Sequence, residues 1–286
     1  MGMLDGKVAI ITGAGGGLGR EYALLLAKEG AKIVVNDYGG SPDGRGGGSP
    51  AAQKVVDEIR AAGGQAVANG ADVGDVASGA SLLDAALDAF GRVDILINNA
   101  GILRDKSFVK TDEEDWDAVV RVHLKGTYAV TKPVFAWMKD NGGGVIINTS
   151  SASGLIGNFG QSNYAAAKAG VWGLSNVLAI EGARFGIRVW TLAPTATTRL
   201  TENLLPPELA AKWRPHRLAP AVLYMVSDAA AHLTGKTLSV SGSKIQELRL
   251  VAGPGYWPGD ETPTVQDIVD NYDKIFLPET APIGFE

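Results

Sequence analysis

The segment Thr149–Lys168, TSSASGLIGNFGQSNYAAAK, carries a tyrosine and a lysine placed to act on one proton. Tyr164 and Lys168 are four residues apart in a predicted helix, Asn163–Arg184, so both side chains lie on one face. A tyrosine is a poor acid or base at neutral pH because its reference pKa is ~10. A neighbouring ammonium favours the phenolate and can lower that pKa by ~1–3 pH units. We therefore expect the pair to exchange a proton with an alcohol or a carbonyl.

Two serines precede this pair. Ser150 and Ser151 lie at the C-terminal end of a predicted central strand, Gly144–Ser150, where open α/β sheets bind ligands. A serine hydroxyl there can hold the oxygen on which the tyrosine acts. The pattern Tyr-x-x-x-Lys alone is common by chance and would indicate only a surface helix, so its meaning depends on the surrounding elements.

Short apolar runs alternate with helical patterns along the chain. Parallel strands need long crossovers, usually helices, so this order predicts an α/β protein with a doubly wound, seven-stranded parallel sheet and helices on both faces. Residues 1–247 are expected to form one domain, with 248–286 as a C-terminal extension packed on it. The predicted strands are Lys7–Thr12, Ala31–Asp37, Gln65–Asp72, Val93–Asn98, Gly144–Ser150, Ile187–Ala193 and Thr237–Val240. The predicted helices are Leu18–Glu29, a helix opened by Ser49-Pro50 and closed by Gly63-Gly64, Val76–Phe90, Glu113–Asp140, Asn163–Arg184, Arg217–Ser227 and Val265–Ile275.

A glycine run, TGAGGGLGR at Thr12–Arg20, follows the first strand and opens the first helix. Gly13 can make the tight turn, and Gly17 and Gly19 let the backbone approach a pyrophosphate at the helix N-terminus. The alternative is a plain glycine turn. The strand–turn–helix context favours a dinucleotide-binding loop.

Asp37 ends the second predicted strand, eighteen residues after Gly19. An acidic residue there accepts hydrogen bonds from the adenosine ribose and repels a 2′-phosphate, which favours NAD over NADP. Two alternatives stay open: Asp37 only caps a turn, or Arg45 binds a 2′-phosphate. A second glycine run, NDYGGSPDGRGGGSP at Asn36–Pro50, is longer than the ~2–6 residues usual for such connections, so it is either functional or mobile.

The composition excludes several classes. The chain has 286 residues, a net charge of −5 and no cysteine, so neither a nucleic-acid partner nor a thiolate metal site is expected. The histidines, His123, His216 and His232, are too scattered for a metal centre. No apolar run approaches the ~20 residues that span a bilayer, so we expect no membrane partner and a cytoplasmic location.

With NNAG at Asn98–Gly101, and Ser151 thirteen residues before Tyr164, the chain resembles the short-chain dehydrogenase/reductase family from Leu4 to about Ser243. The resemblance implies a Rossmann-type fold, a homodimer or homotetramer and NAD as cofactor. It makes Tyr164 the catalytic acid/base and Lys168 its partner, which also binds the nicotinamide ribose, while Ser151 positions the substrate oxygen. The cofactor residues that it implies are Gly13, Gly16, Gly17, Leu18, Gly19, Asp37, Asp72, Val73, Asn99, Ala100, Gly101, Thr149, Tyr164, Lys168, Pro194 and Thr197.

One position departs from that family. VHLKG carries His123 where the family usually has an asparagine that supports a water in the proton path. A histidine can serve as a relay there, or it can merely pack inside the helix.

Within the family, RVHLKG, NNAGILRDKSF and VVNDYGG resemble the (3R)-hydroxyacyl-CoA dehydrogenase portion of the type 2 peroxisomal multifunctional enzymes. That resemblance implies NAD-dependent oxidation of a (3R)-3-hydroxyacyl-CoA. The alternatives are a hydroxysteroid or steroid side-chain-CoA dehydrogenase, and a non-catalytic NAD-binding regulator. The substrate loop is expected within Thr195–Trp213. Its candidate contacts are Leu200, Leu204, Leu205 and Leu209 for an apolar substrate, and Arg199 or Lys212 for a CoA phosphate.

Overall fold

One eight-stranded sheet forms the centre of the protein in the computed structural model, which describes residues 2–48, 50–198 and 207–277. The strand order is β3-β2-β1-β4-β5-β6-β7-β8. The strands are β1 Val8–Ile11, β2 Lys32–Asn36, β3 Ala66–Asn69, β4 Ile95–Asn98, β5 Gly144–Thr149, β6 Ile187–Thr195, β7 Lys236–Ser241 and β8 Lys244–Leu248. The helices are α1 Gly17–Lys28, α2 Ala51–Ala61, α3 Val76–Phe90, α4 Glu113–Val120, α5 Gly126–Asp140, α6 Ala152–Ile156, α7 Ser162–Gly182, α8 Pro207–Lys212, α9 Ala219–Val226, α10 Val265–Asp270 and α11 Tyr272–Ile275.

Helices cover both faces of the sheet, as the apolar strands predict. Along β1, Ala9 and Ile11 belong to one buried apolar cluster, and Val8 and Ile10 belong to another. Successive strand residues point to opposite faces, so each cluster fills one side of the sheet. The predicted α/β class and the doubly wound sheet are therefore confirmed.

The strand order reverses between β1 and β4, which are hydrogen-bonded neighbours. Chain segments leave these two strands in opposite directions, and this opens a crevice at their carboxyl ends. The predicted dinucleotide loop follows β1 and the predicted Asn98–Gly101 motif follows β4, so both motifs lie at that crevice.

The predicted count of seven strands is wrong, because the sheet has an eighth strand, β8. Only Gly242 and Ser243 separate β7 from β8, and a two-residue connection joins antiparallel strands. The sheet is therefore parallel up to β7 and ends in a hairpin. β8, with the sequence KIQEL, is largely exposed and lacks the apolar run that marks the buried strands.

The predicted helix Glu113–Asp140 is interrupted. It consists of α4 and α5 joined by a π-helical turn, Arg121–Lys125, which contains His123. Such turns widen a helix locally and are frequent at functional sites.

The chain divides into two compact units, residues 1–247 and 248–286. In the second unit, α10 begins with a capping box in which Thr264 and Asp267 satisfy each other's backbone N–H groups. Packing of this unit on the first stays a prediction. Among the described residues, no helix combines the length and the apolar character that crossing a bilayer requires.

Candidate active site

The first glycine run is shaped by close backbone contacts. Gly13 has φ +62°, and a Cβ there would lie 2.7 Å from the Cα of Ala100. A Cβ on Gly19 would lie 2.5 Å from the carbonyl O of Gly13. Any side chain at either position would push the loop away from β4 or from α1, so both positions need glycine.

The N-terminus of α1 is open to an anion. The N-cap residue is Gly16, so no side chain there caps the first amide groups of the helix. The first turn also holds no acidic residue. The amide groups of a helix's first turn have no partner within the helix, and its N-terminus carries partial positive charge. The loop Gly13–Gly19 therefore fits the pyrophosphate of a dinucleotide, and the roles of Gly16, Gly17 and Leu18 in holding it stay predictions.

Thr12 ties this loop to the segment after β4. Its Oγ1 accepts hydrogen bonds from the amide groups of Asn99, at 2.9 Å, and Ala100, at 3.0 Å. The Asn99 side chain in turn donates to the carbonyl O of Thr12 at 3.0 Å and of Gly13 at 3.2 Å. The predicted cofactor residues Asn99, Ala100 and Gly13 are thus brought together. The sequence analysis did not assign Thr12, whose only signal was its place directly after β1.

Asp37 lies where β2 ends, half-buried beside the glycine loop. Its Oδ2 accepts a hydrogen bond from Gly15 N at 2.9 Å, and its Oδ1 accepts one from Gly39 N at 2.8 Å. It therefore caps a turn, as one alternative proposed, and also faces the loop that fits a dinucleotide. A carboxylate has lone pairs for about four hydrogen bonds, so capacity for ribose hydroxyls remains.

The other residues predicted at the adenosine end are partly engaged. Arg45 is exposed, and its Nη1 lies 3.4 Å from Asp43 Oδ2. Asp72 Oδ1 accepts from Gly74 N at 2.9 Å, and its Oδ2 pairs with Arg121 Nη1 at 2.8 Å. Both carboxylate oxygens of Asp72 already have partners, and the adenine contact of Asp72 and the buried Val73 stays a prediction.

Tyr164 and Lys168 share one face of α7, as their spacing predicts. Lys168 is only 3% exposed, and its Nζ donates a hydrogen bond of 2.5 Å to the carbonyl O of Thr149. The same Nζ lies 5.6 Å from the centroid of the Tyr164 ring.

Burial governs both pKa values. It lowers the pKa of Lys168 to about 7 and raises the pKa of Tyr164 to about 12, although a hydrogen bond with Ser151 opposes the second shift. The net pKa of Tyr164 therefore lies above its usual value, and a lowering by Lys168 stays a prediction. The penalty for burying a phenolate is the largest contribution to that shift.

The two serines have different roles. Ser150 Oγ is buried and donates to the carbonyl O of Lys168 at 2.8 Å, which anchors α7 to the end of β5. Ser151 caps α6, where its Oγ accepts from Ser153 N at 3.2 Å, and its hydroxyl also lowers the pKa of Tyr164. Ser151 is thus the one placed to share a substrate oxygen with Tyr164.

His123 is buried at the same site, and its ring meets that of Tyr164. Its Nε2 lies 2.8 Å from Ile102 O and 3.1 Å from Ile102 N, so either tautomer binds this backbone. Its Nδ1 is buried with no hydrogen-bond partner among the described residues. Burial, together with the nearby charge of Lys168, holds the pKa of His123 well below its usual value, so the ring is neutral. Gly101 lies directly against it, because a Cβ there would be 2.3 Å from His123 Cε1.

A polar network that the sequence analysis missed joins the start of α7 to the segment after β4. Gln161 is buried; its Nε2 donates to Asp105 Oδ2 at 2.7 Å, and its Oε1 accepts from Ser153 Oγ at 2.8 Å. The charge of Asp105 raises the pKa of Tyr164, although burial raises it more. No local pattern marks this pair, because its members are 56 residues apart.

Most of the remaining predicted residues lie at the end of β5, at the end of β6 or in the segments that follow β6. Pro194 is within β6, and the amide group of Thr197 donates to the carbonyl O of Trp213 at 2.8 Å. Thr149 ends β5 below Lys168. Lys212 is exposed at the end of α8. The predicted residues Ser49, Arg199, Leu200, Leu204 and Leu205, and the side chain of Leu209, lie outside the part that the structure describes.

Comparison with known proteins decides the family. The family model described as short chain dehydrogenase matches residues 7–208. The chain belongs to the short-chain dehydrogenase family. It is therefore an oxidoreductase that acts on a CH–OH group and uses a nicotinamide dinucleotide.

Relatives of this dehydrogenase agree in sequence and in structure. It is 51% identical to the peroxisomal multifunctional enzyme type 2 of Drosophila melanogaster, over 88% of this chain but only 41% of that enzyme. A short chain dehydrogenase from Mycobacterium avium superposes with a TM-score of 0.85 at 42% identity, over 99% of this chain and 98% of that one. A 7α-hydroxysteroid dehydrogenase, solved with NADH and 7-oxo glycochenodeoxycholic acid, superposes with a TM-score of 0.76 at 35% identity, over 86% of this chain and 97% of that one.

Proposed function

We propose that this dehydrogenase oxidises a (3R)-3-hydroxyacyl-CoA to the 3-oxoacyl-CoA and uses NAD. The observation that carries the proposal is the convergence of Ser151, Tyr164 and Lys168 beside the glycine loop at the carboxyl edge of the sheet. The substrate class is supported by similarity to the Drosophila multifunctional enzyme. The chain spans less than half of that enzyme, so the proposal concerns the dehydrogenase step alone.

In this proposal the hydroxyl on carbon 3 is held between Ser151 and Tyr164. Ser151 donates to the oxygen, and Tyr164 Oη takes the hydroxyl proton as the carbon–oxygen bond gains double-bond character. The bound nicotinamide dinucleotide supplies the hydride acceptor.

Proton transfer needs Tyr164 and Lys168 to act together. With a pKa of about 12, the isolated phenol is almost entirely protonated at neutral pH. Lys168, with a pKa of about 7, changes charge in the physiological range. A proton on Lys168 stabilises the phenolate that accepts the substrate proton, so the two groups titrate as a coupled pair.

Asp37 supports the choice of NAD. Its carboxylate faces the glycine loop, so a 2′-phosphate on the adenosine ribose would meet a negative charge at close range. Arg45, the one residue suggested for binding such a phosphate, pairs instead with Asp43.

A steroid substrate is the second candidate, because the chain superposes on a hydroxysteroid dehydrogenase over 97% of that enzyme. A non-catalytic regulator is disfavoured, since such a protein would not need Ser151, Tyr164 and Lys168 in one site. A cytoplasmic location and a homo-oligomeric assembly remain part of the proposal.

One assay tests the proposal. NADH formation is followed with (3R)- and (3S)-3-hydroxyacyl-CoA and with a hydroxysteroid, each with NAD and with NADP. Turnover of the (3R) thioester with NAD is expected, and Tyr164→Phe should reduce it by ~10³-fold or more while NADH still binds. Turnover of the (3S) form alone, or of the steroid alone, would overturn the substrate assignment. Wild-type turnover by Tyr164→Phe would overturn the role of the tyrosine.

A further inference from the structure

The second glycine run forms an ordered loop, Gly39–Gly48, which we call the glycine insert. Gly48 N donates to Tyr38 O at 2.8 Å and closes its base. At its apex, Ser41 N donates to Arg45 O and Gly44 N donates to Ser41 O, each at 2.9 Å. The insert is therefore held in one shape by its own hydrogen bonds rather than left as a loose connection.

The apex of the glycine insert rests on the segment that follows β4. Leu103 N donates to Pro42 O at 3.1 Å, and Arg104 Nε donates to Asp43 O at 2.9 Å. Gly44 lies against Ile102, because a Cβ on this glycine would be 2.9 Å from Ile102 Cδ1. Two hydrogen bonds and one close apolar contact thus fix the apex.

The strand order shows what the insert crosses. Its base follows β2, and its apex touches residues that follow β4. β1 lies between these two strands, and the loop Gly13–Gly19 leaves the carboxyl end of β1. Adjacent strands are ~4.8 Å apart, so the insert spans ~10 Å across the mouth of the dinucleotide crevice.

The Arg104 side chain holds the apex of the glycine insert in place through its hydrogen bond to Asp43 O. It is 10% exposed, and its Nη1 pairs with Glu114 Oε1 at 3.0 Å and with Asp115 Oδ1 at 3.2 Å. These acids on α4 fix the guanidinium so that its Nε points at Asp43 O. A lysine cannot reproduce this arrangement, since its single ammonium lacks the planar fork of donors.

We propose that Arg104 is a positioning residue for the cofactor, because it holds the glycine insert across the crevice where the insert covers the adenosine half of the dinucleotide. The insert then slows cofactor release and contributes to adenosine affinity. This inference rests on dinucleotide binding and not on the proposed acyl-CoA substrate, so it is tested without any substrate.

The test compares Arg104→Lys with the wild type in NADH binding. Stopped-flow fluorescence gives the NADH release rate, and calorimetry gives affinity for AMP, which contains only the adenosine half. We expect release about five- to tenfold faster and AMP affinity reduced by a similar factor, the size of the net contribution of one typical hydrogen bond. Hydrogen exchange in the cofactor-free protein should rise in peptides covering residues 38–48.

Gly44→Ala provides a second variant that leaves Arg104 intact. Its φ of +84° and the contact with Ile102 make any side chain there displace the apex, so it should reproduce faster release and faster exchange. Arg92→Lys is the matched control, because Arg92 forms an exposed pair with Asp94 at 2.6 Å, before β4. It should leave all three readouts unchanged.

Two outcomes overturn the proposal. One is unchanged NADH release and AMP affinity in both folded variants. The other is a lower melting temperature in Arg104→Lys with wild-type exchange in residues 38–48, which would assign Arg104 only to the stability of α4.

Discussion

The ring of His123 meets that of Tyr164 edge-on, with centroids 5.1 Å apart and planes at 90°. His123 sits in the π-helical turn Arg121–Lys125, and Ile102 holds its Nε2. One ring nitrogen is thus committed to the backbone, and the ring is neutral because burial lowers its pKa. His123 therefore supports Tyr164 by ring packing while its own hydrogen bonds go to Ile102, and a relay that passes through a charged imidazolium is not favoured by this geometry.

Replacing His123 tests this role through stability as well as turnover. The folded-state pKa lies well below the unfolded value of ~6.5, so acid protonates the unfolded chain first and stability is lost as pH falls below ~6.5. His123→Asn removes that loss, and we expect it to retain more of its pH 7 stability at pH 5 than the wild type retains. Urea unfolding at the two pH values measures the difference.

Turnover distinguishes the two roles considered for His123, a proton relay and a residue that only packs and hydrogen-bonds. Because the ring is neutral, His123→Asn should keep the pH profile of kcat, while His123→Phe, which fills the space without a hydrogen bond to Ile102, should lower kcat about tenfold or more. If His123→Asn instead loses the acidic limb of the pH profile of kcat, His123 acts as a proton relay.

Asp105 also influences the pKa of Tyr164. Its carboxylate raises the pKa of Tyr164, so Asp105→Asn should move the tyrosine-dependent limb of the kcat profile to lower pH. Since Asp105 is exposed, the expected shift is only about half a pH unit. Asp88→Asn, which removes an equal charge from the exposed face of α3, is the control and should shift nothing. A shift to higher pH in Asp105→Asn would contradict the assigned sign.

Asp37 should determine the choice between NAD and NADP. Asp37→Ser removes the charge that repels a 2′-phosphate, and we expect the ratio of kcat/KM for NAD to that for NADP to fall at least tenfold. The variant also loses the acceptor for Gly15 N and Gly39 N, so part of the fall comes from weaker NAD binding. Arg45→Ala is the companion variant. If it changes the ratio more than Asp37→Ser does, the arginine is the discriminating residue.

Much of the fold is predictable because the buried strands are marked locally. β1 and β4 are short apolar runs, and the glycines and Asn99 directly follow them. The eighth strand is not marked, since an exposed edge strand such as KIQEL has no apolar run. The π-helical turn is also unmarked, because a change in hydrogen-bond register leaves the helical apolar spacing almost unaltered.

The sequence predicts those parts of the site that are formed by residues close to one another along the chain. Tyr164 and Lys168 are four residues apart, and helical geometry alone brings them together. The partners of Gln161 and Arg104 come from distant segments, and only the folded chain shows Asp105 or Asp43 beside them. The pKa of Tyr164 depends on burial, which spacing does not reveal, so the raised value could not be predicted from the sequence.

The faces of α5 and α7 lead to a prediction about assembly. Ile180 is 79% exposed on α7, and Val177 and Tyr128 are also exposed apolar side chains on these helices. If these helices form the interface of the proposed homo-oligomer, Ile180→Glu buries an unpaired charge there and should weaken self-association at least tenfold. Light scattering coupled to size-exclusion chromatography measures the change as a loss of the oligomer at micromolar concentration. Val109→Glu is the control, because Val109 is equally apolar and exposed but lies in the turn Phe108–Lys110 outside both helices. An oligomer that survives Ile180→Glu and dissociates in Val109→Glu would place the interface elsewhere.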